Sequence, residues 1–322
     1  MALLTIFAAL LFHPMAMLIH LGGRSVGECT VDRTSPAHLR TSAHHLPSIA
    51  EYKKRWRAMM AKDPLSNTNK PLVADSTKNV LIGIPCRRDD ADYRAIVRQT
   101  WMSQHGVCKV WERGVGGQPC AVTVSFVIGT DSEDQKLPTD CVKSNDCFGV
   151  VTPEGSGSEM GKKTIALFRK ALRDFPWATH VAKMDMDAFP HLQEWLSEVP
   201  AGPYSLGGWM LDHYGCGSLA FCPPKECGHP INGNLLEYAG QGDTQKCWSY
   251  PQGGFYVLSR ALAQGVFDES TGTCNHGPFG VEDLMVGKSA VEFARKEKLR
   301  SVATWSAVTP ERKKQIFEHL GG

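Results

Sequence analysis

The chain has 322 residues, a formal net charge of +2, 42% hydrophobic residues and 21% charged ones. That balance excludes an intrinsically disordered chain, and the small net charge excludes the concentrated basic surface of a nucleic-acid binder. The length accommodates one large domain or two small ones, with a core able to bury a catalytic site without help from disulfides.

Residues 3–21 are mainly apolar, interrupted by His13, Pro14 and His20. The run approaches the roughly 20 residues of a membrane-spanning helix, so residues 1–22 are expected to be a signal anchor or a cleaved signal peptide. Either role sends the rest of the chain into the secretory lumen. Residues 23–77 are polar and turn-rich, with Pro36, Pro47, Pro64 and Pro71, as in a stem that holds a domain away from a membrane. Within the stem, Ser48 to Lys62 is expected to be helical with Ser48 as N-cap. Lys53, Lys54, Arg55 and Arg57 form its solvated face.

A folded domain is expected over residues 78–322. Val80 to Ile84 is a short apolar run closed by Pro85, as in a buried strand. Tyr93 to Trp101 has helical spacing. Val122 to Gly129 is rich in β-branched residues and reads as a second central strand. Lys162 to Phe175 predicts a helix with Ile165, Leu167, Phe168, Ala171 and Leu172 on its apolar side. His180 to Met184 forms a third strand leading into Asp185. Strands alternating with helices predict an α/β fold with an open, mostly parallel sheet, whose ligand crevice lies at the carboxyl ends of the strands.

Asp185-Met186-Asp187 is the most informative triplet. In extended backbone the two carboxylates share a face, and together they can hold a hard divalent cation that bridges nucleotide phosphates. Phe189 stands where a dehalogenase-type phosphatase wants Thr or Val, so that D-x-D reading fits poorly. The run Gly155 to Thr164 fails as a P-loop, because Ser156 replaces the first glycine and no hydroxyl residue follows the first lysine. It reads instead as a loop entering a helix N-terminus, a place where phosphate can bind. Glu282-Asp283, between Gly280 and Gly287, supplies carboxylates for a general base or for a helix N-terminus. Tyr250 to Tyr256 contains Pro251, Gly253 and Gly254 and reads as a turn beside aromatics.

Eleven cysteines, five of them crowded at Cys216, Cys222, Cys227, Cys247 and Cys274, point to disulfides in an oxidising compartment. No pair has C-x-x-C spacing, which argues against a structural zinc site.

Together these residues resemble the beta-1,3-glycosyltransferases, which include galactosyl- and N-acetylglucosaminyltransferases. Arg94 to Trp101 is similar to that family's R-x-x-I/V-R-x-T-W block, and Phe126 to Gly129 to its F-x-x-G strand. Lys163-Thr164, Pro176 and Lys183 fall in its register. Gly253 to Ser259 resembles G-x-G-Y-V-x-S, and Glu282 to Gly287 resembles E-D-V-x-x-G. The blocks run in family order from about residue 80 to 290.

The resemblance implies a GT-A type nucleotide-sugar-binding fold, a UDP-sugar donor, a manganese ion, inversion at the anomeric carbon and a glycan acceptor. It implies a type II membrane protein of the Golgi or ER with a lumenal catalytic domain. It puts Asp187 on the metal, with Asp185 near the metal or the donor ribose. Asp283 is then the candidate base, with Glu282 as its neighbour and substitute. Arg94, Arg98 and Lys163 are expected near the donor diphosphate, with structural salt bridges the alternative for the two arginines. The family's three consecutive aspartates are interrupted here by Met186. Phe255 replaces the second glycine of its G-x-G-Y block. These departures keep open a second reading, a catalytically inactive lumenal relative that binds glycans or proteins.

Overall fold

A strand buried at every position has to be covered on both faces, and the three strands predicted at Val80, Val122 and His180 are of that kind. The computed structural model describes residues 46–63, 72, 77–113, 120–152, 154, 158–199, 202–214, 248–270, 272–273, 282–299, 303–306 and 317–319. The N-terminal apolar segment, most of the expected stem, residues 155–157 and the five crowded cysteines lie outside the described residues. Among the described residues, no helix is long and apolar enough to cross a membrane.

In chain order the elements are α1 (Ile49–Lys62), β1 (Val80–Cys86), α2 (Ala91–Gln99), β2 (Val107–Lys109) and β3 (Val122–Thr130). They continue with α3 (Thr139–Ser144), β4 (Cys147–Val151), α4 (Ser158–Asp174), β5 (His180–Met184), β6 (Ala188–Pro190) and α5 (Leu192–Glu198). The last are β7 (Ser205–Tyr214), β8 (Trp248–Ser259), α6 (Arg260–Phe267), α7 (Glu282–Lys296), β9 (Ala303–Ser306) and β10 (Phe317–His319). They build an α/β fold with a mixed, mostly parallel central sheet. Its order is β2-β3-β1-β5-β8-β7-β9, with β4 also paired to β3. β8 runs antiparallel to β5 and to β7, whereas β1, β3 and β5 run parallel. β6 and β10 form a separate antiparallel pair.

Alternation along β1 explains the layers. Val80, Ile82 and Ile84 face one core with Tyr52, Trp56 and Met59 of α1, Ile96 and Val97 of α2, and Trp195 of α5. Leu81 faces the other, with Leu167 and Phe168 of α4, Leu262 of α6 and Val286 of α7. Period-2 side chains on the sheet thus meet period-3.6 stripes on the helices from both sides.

Helix α1 begins where the sequence predicts, with the Ser48 hydroxyl accepting from the Glu51 amide at 3.4 Å. Lys53, Lys54 and Arg57 are exposed as expected. Its opposite face is not a stem surface, however. Tyr52 and Trp56 are fully buried, their rings stack at 4.1 Å, and Trp56 meets Phe189 edge-on at 6.1 Å.

Two other expectations change. α2 stops at Gln99, because the Thr100 hydroxyl turns back to the carbonyls of Ile96 and Val97, and Trp101 enters a separate short 3-10 turn. Tyr250 to Tyr256 is not a turn but part of β8, held between β5 and β7. Pairing of Tyr250 and Pro251 with β7, and of Phe255 and Tyr256 with β5, carries the strand through the local Pro-Gly signal.

Disulfides join Cys108 to Cys120 and Cys141 to Cys147, while Cys86 is a buried free thiol among the described residues. Burial pushes that thiol up to about 12, so it stays protonated and unreactive at neutral pH.

Close packing fixes how α7 is held. A Cβ on Gly265 of α6 would lie 2.2 Å from the Phe293 ring of α7. Gly265→Ala is therefore expected to cost about 1–3 kcal/mol by overpacking, despite alanine's better helix propensity. Urea unfolding checks this, and an unchanged or raised midpoint would show that the ring yields freely.

Candidate active site

Two acidic pairs lie 95 or more residues apart in sequence, yet the sheet brings them to one place. β5 ends at Met184, so Asp185 leaves the carboxyl edge of a central strand. α7 begins at Glu282, so Glu282 and Asp283 stand in its first turn, where the helix dipole favours negative charge. β8 lies against both. The Asp185 amide donates to the Gly254 carbonyl at 2.8 Å, and the Gly253 amide donates to Asp283 Oδ2 at 2.9 Å. A Cβ at 253 would stand in ordinary contact, 3.4 Å from that carboxylate oxygen, so the two groups are close neighbours.

Lys183 ties the pairs together. Its ammonium lies 2.6 Å from Asp185 Oδ1 and 3.4 Å from Glu282 Oε1, and it also donates to the Gly253 carbonyl. Burial alone would lower the lysine's pKa, but the charges of Asp185 and Glu282 outweigh it and hold the ammonium above its usual range. Glu282 is raised to about 7: burial pushes it up most, Lys183 pulls it down, and the charges of Asp283 and Asp185 push it up again. The two shifts are compatible because the ammonium is shared unequally. Asp185 takes the close contact and Glu282 the loose one. Tyr256 completes the group, donating its hydroxyl to Glu282 Oε1 at 2.6 Å. Burial, then the charge of Glu282, holds that phenol well above its ordinary value.

A consequence for stability follows from Glu282. Between its ordinary 4.5 and its folded value of about 7, the native chain binds more protons at this carboxyl than the unfolded chain does. Its contribution is therefore full at low pH and is lost as pH rises through about 7. Glu282→Gln is expected to flatten that part of the pH dependence. Urea midpoints of variant and parent at about pH 5 and about pH 8 test it. An equal slope in both proteins would show that Glu282 titrates normally.

The acid triplet differs from expectation in its backbone. Residues 185–188 form a turn, with the Ala188 amide donating to the Asp185 carbonyl at 3.1 Å, rather than extended chain. The carboxylates are thus not aligned by strand alternation. Asp185 is held toward Lys183, and Asp187 is buried beside Tyr52, whose phenol is raised chiefly by burial and next by the Asp187 charge. Met186 is buried in the first core.

Lys163 of α4 is fully buried, donating to the Cys86 carbonyl at 3.0 Å and pairing with Glu154 at 2.6 Å. Glu154 also accepts from the Gly129 amide at 2.9 Å. Lys163 therefore links the carboxyl ends of β1 and β3, the edge from which Asp185 also emerges. α4 and α7 approach there too, since a Cβ on Gly161 would lie 3.5 Å from that of Glu282.

Arg94 and Arg98 are engaged by acids, Asp140 of α3 and Asp146 just before β4, with Arg94 also reaching Cys86 Sγ at the end of β1 at 3.7 Å. Arg94 grips Asp140 through Nε and Nη2, both at 2.8 Å, and donates to the Arg87 and Arg88 carbonyls. Its side chain is fully buried. Arg98 grips Asp146 at 2.6 and 2.9 Å and reaches Asp140 at 3.0 Å. Such bidentate forks satisfy guanidinium geometry and fix the connection between α2, α3 and β4. Phe255 faces inward against Trp195 at 5.3 Å, so it fills core volume rather than open crevice.

Reasoning from sequence assigned no role to Lys183, Tyr256 or Tyr52. A lysine inside an otherwise apolar strand is a usable signal, because a buried ammonium requires acidic partners. No known protein-family profile matches this chain, and no curated protein matches it.

Proposed function

We propose that the chain is an inverting hexosyltransferase of GT-A type, moving galactose or N-acetylglucosamine from a UDP-sugar onto a glycan hydroxyl, with a beta-1,3 bond as the expected linkage. The observation that carries this reading is the convergence of Asp185 and Glu282 on Lys183, with Asp283 alongside at the same sheet edge. An open α/β sheet binds nucleotides at the carboxyl ends of its strands, and the acids stand there. The two disulfides suit a lumenal, oxidising compartment of the Golgi or ER. The N-terminal segment would hold the protein in the membrane as a type II anchor.

Asp283 is the base. Its Oδ2 accepts the Gly253 amide, which fixes the carboxylate's direction, and it takes the proton from the acceptor hydroxyl. That oxygen bonds to C1 of the sugar as the bond from C1 to the diphosphate breaks on the opposite face, and UDP leaves. Glu282, buried with a pKa of about 7, is the neighbouring proton store, steadied by Tyr256 and Lys183. Lys163 and Asp185 belong to the donor side of the crevice, while Arg94 and Arg98 hold its frame.

Among the described residues, no group of three or more His, Cys, Asp or Glu is built to cage a metal alone. A manganese or similar ion taking one or two carboxylates and completing its shell with phosphate and water fits this donor set. Asp187 would be its ligand, with Asp185 adjacent but shared with Lys183. When bound, such an ion would offset the charge of the departing diphosphate.

Transfer from radiolabelled UDP-galactose and UDP-N-acetylglucosamine to oligosaccharide acceptors, with manganese present, tests the proposal on the full chain. Transfer from neither donor to any acceptor would favour the second reading, a lumenal glycan- or protein-binding relative without activity. One observation speaks for that reading: Lys183 already compensates Asp185 at 2.6 Å. Calorimetry with UDP and manganese separates the two, since the inactive relative need bind neither.

A further inference from the structure

The helix expected in the stem touches the acid turn directly. The Tyr52 hydroxyl, inside the fold, donates to the backbone carbonyl of Met186, the residue between the two aspartates. The ring that carries this hydroxyl is held by two aromatic neighbours and by burial. It stacks on Trp56 at 4.1 Å, meets Tyr93 edge-on at 4.9 Å, and is fully buried. Trp56 in turn packs edge-on against Phe189, which follows the turn, and Phe189 pairs with Glu318 in the small sheet.

We infer that Tyr52 is a positioning residue for the Asp185–Asp187 turn: its hydroxyl fixes the Met186 peptide and thereby the direction in which the Asp187 carboxylate is presented. The physical reason is that a turn closed by one backbone bond, Ala188 amide to Asp185 carbonyl at 3.1 Å, leaves the central peptide free to rotate. A buried carbonyl with a rigid donor aimed at it loses that freedom, because rotating away would strand both groups without water. The family-like feature of three consecutive acids is absent here, and Met186 contributes its carbonyl to this clamp and its side chain to the core. A segment outside the expected catalytic unit therefore sets the geometry of the metal-side acid. The inference rests on the transferase reading only for what Asp187 does, not for how it is held.

Tyr52→Phe keeps the stacked ring and removes the one donor. In the full chain, peptide-level hydrogen exchange over residues 185–188 is expected to speed up roughly five- to tenfold. The manganese concentration giving half-maximal UDP-sugar turnover is expected to rise by a similar factor, with kcat at saturating metal within about twofold. Tyr93→Phe is the comparison, since it removes a like hydroxyl bond, to the Pro47 carbonyl at 2.7 Å just ahead of α1. It is expected to lower the melting midpoint by a few degrees, as Tyr52→Phe does, and to leave both readouts unchanged. Unchanged exchange at 185–188 in Tyr52→Phe would overturn the inference, as would equal manganese shifts in both variants, which would mean general loosening. If the parent chain shows no manganese-dependent turnover while exchange at the turn responds to Tyr52→Phe alone, the transferase reading fails and the clamp stands.

Discussion

Asp283→Asn is expected to lower kcat by about 10²–10⁴-fold while leaving KM for the UDP-sugar within roughly threefold. Asparagine matches the carboxylate in size, and its amide oxygen can still accept from the Gly253 amide, so the tie between β8 and α7 is kept. Only proton acceptance is lost. The acceptor hydroxyl has a pKa far above neutral, so without a base its oxygen attacks as a poor nucleophile. Glu282 stands next to it but spends its charge on Lys183 and Tyr256, and near neutral pH it is partly protonated. Rescue by that neighbour should therefore be weak and should strengthen as pH rises through about 7. Initial rates against pH for parent and variant provide the measurement. Full turnover in Asp283→Asn would remove this residue from the chemistry.

Asp187→Ala should abolish manganese-dependent turnover, by about 10³-fold or roughly 4 kcal/mol of barrier. The side chain is buried at the end of β5, where a lost carboxylate cannot be replaced by a neighbour's rotation: Asp185 is held by Lys183. UDP affinity measured by calorimetry should cease to depend on manganese in this variant. Stability should change little by comparison, since removing a buried negative charge also removes its desolvation cost. A variant that still binds UDP more tightly with manganese would place the cation elsewhere.

These expectations draw on features of unequal legibility. β1, β3 and β5 could be read from sequence because short runs dominated by apolar and β-branched residues allow little else, and α4 because its apolar stripe is long. The coincidence of Asp185 with a strand end was readable for the same reason. The turn at 185–188 was not, since a strand's last residue depends on where its ladder stops, and Gly254 and Gly253 of a distant strand decide that. Pro251, Gly253 and Gly254 carry a local turn signal, but Met210 of β7 pairs with Pro251, and the Asp185 amide, the Lys183 ammonium and the Asp283 carboxylate take up the two glycines. Arg94 and Arg98 looked equally apt for phosphate or carboxylate because a guanidinium recognises both in the same planar way. Only the folded position of Asp140 and Asp146 showed which partner they hold. The dry face of α1 was not read from the sequence, where the basic face pointed to a stem, although Tyr52, Trp56 and Met59 fall at the spacing of one buried stripe.

That stripe moves the border of the folded unit toward the N-terminus. A protein trimmed to start at residue 78 would open a trench beside Phe189 and Trp195 and admit water to the floor of the acid turn. Such a fragment would retain Asp185, Asp187, Glu282 and Asp283 and still lack the wall that keeps the acid turn in place.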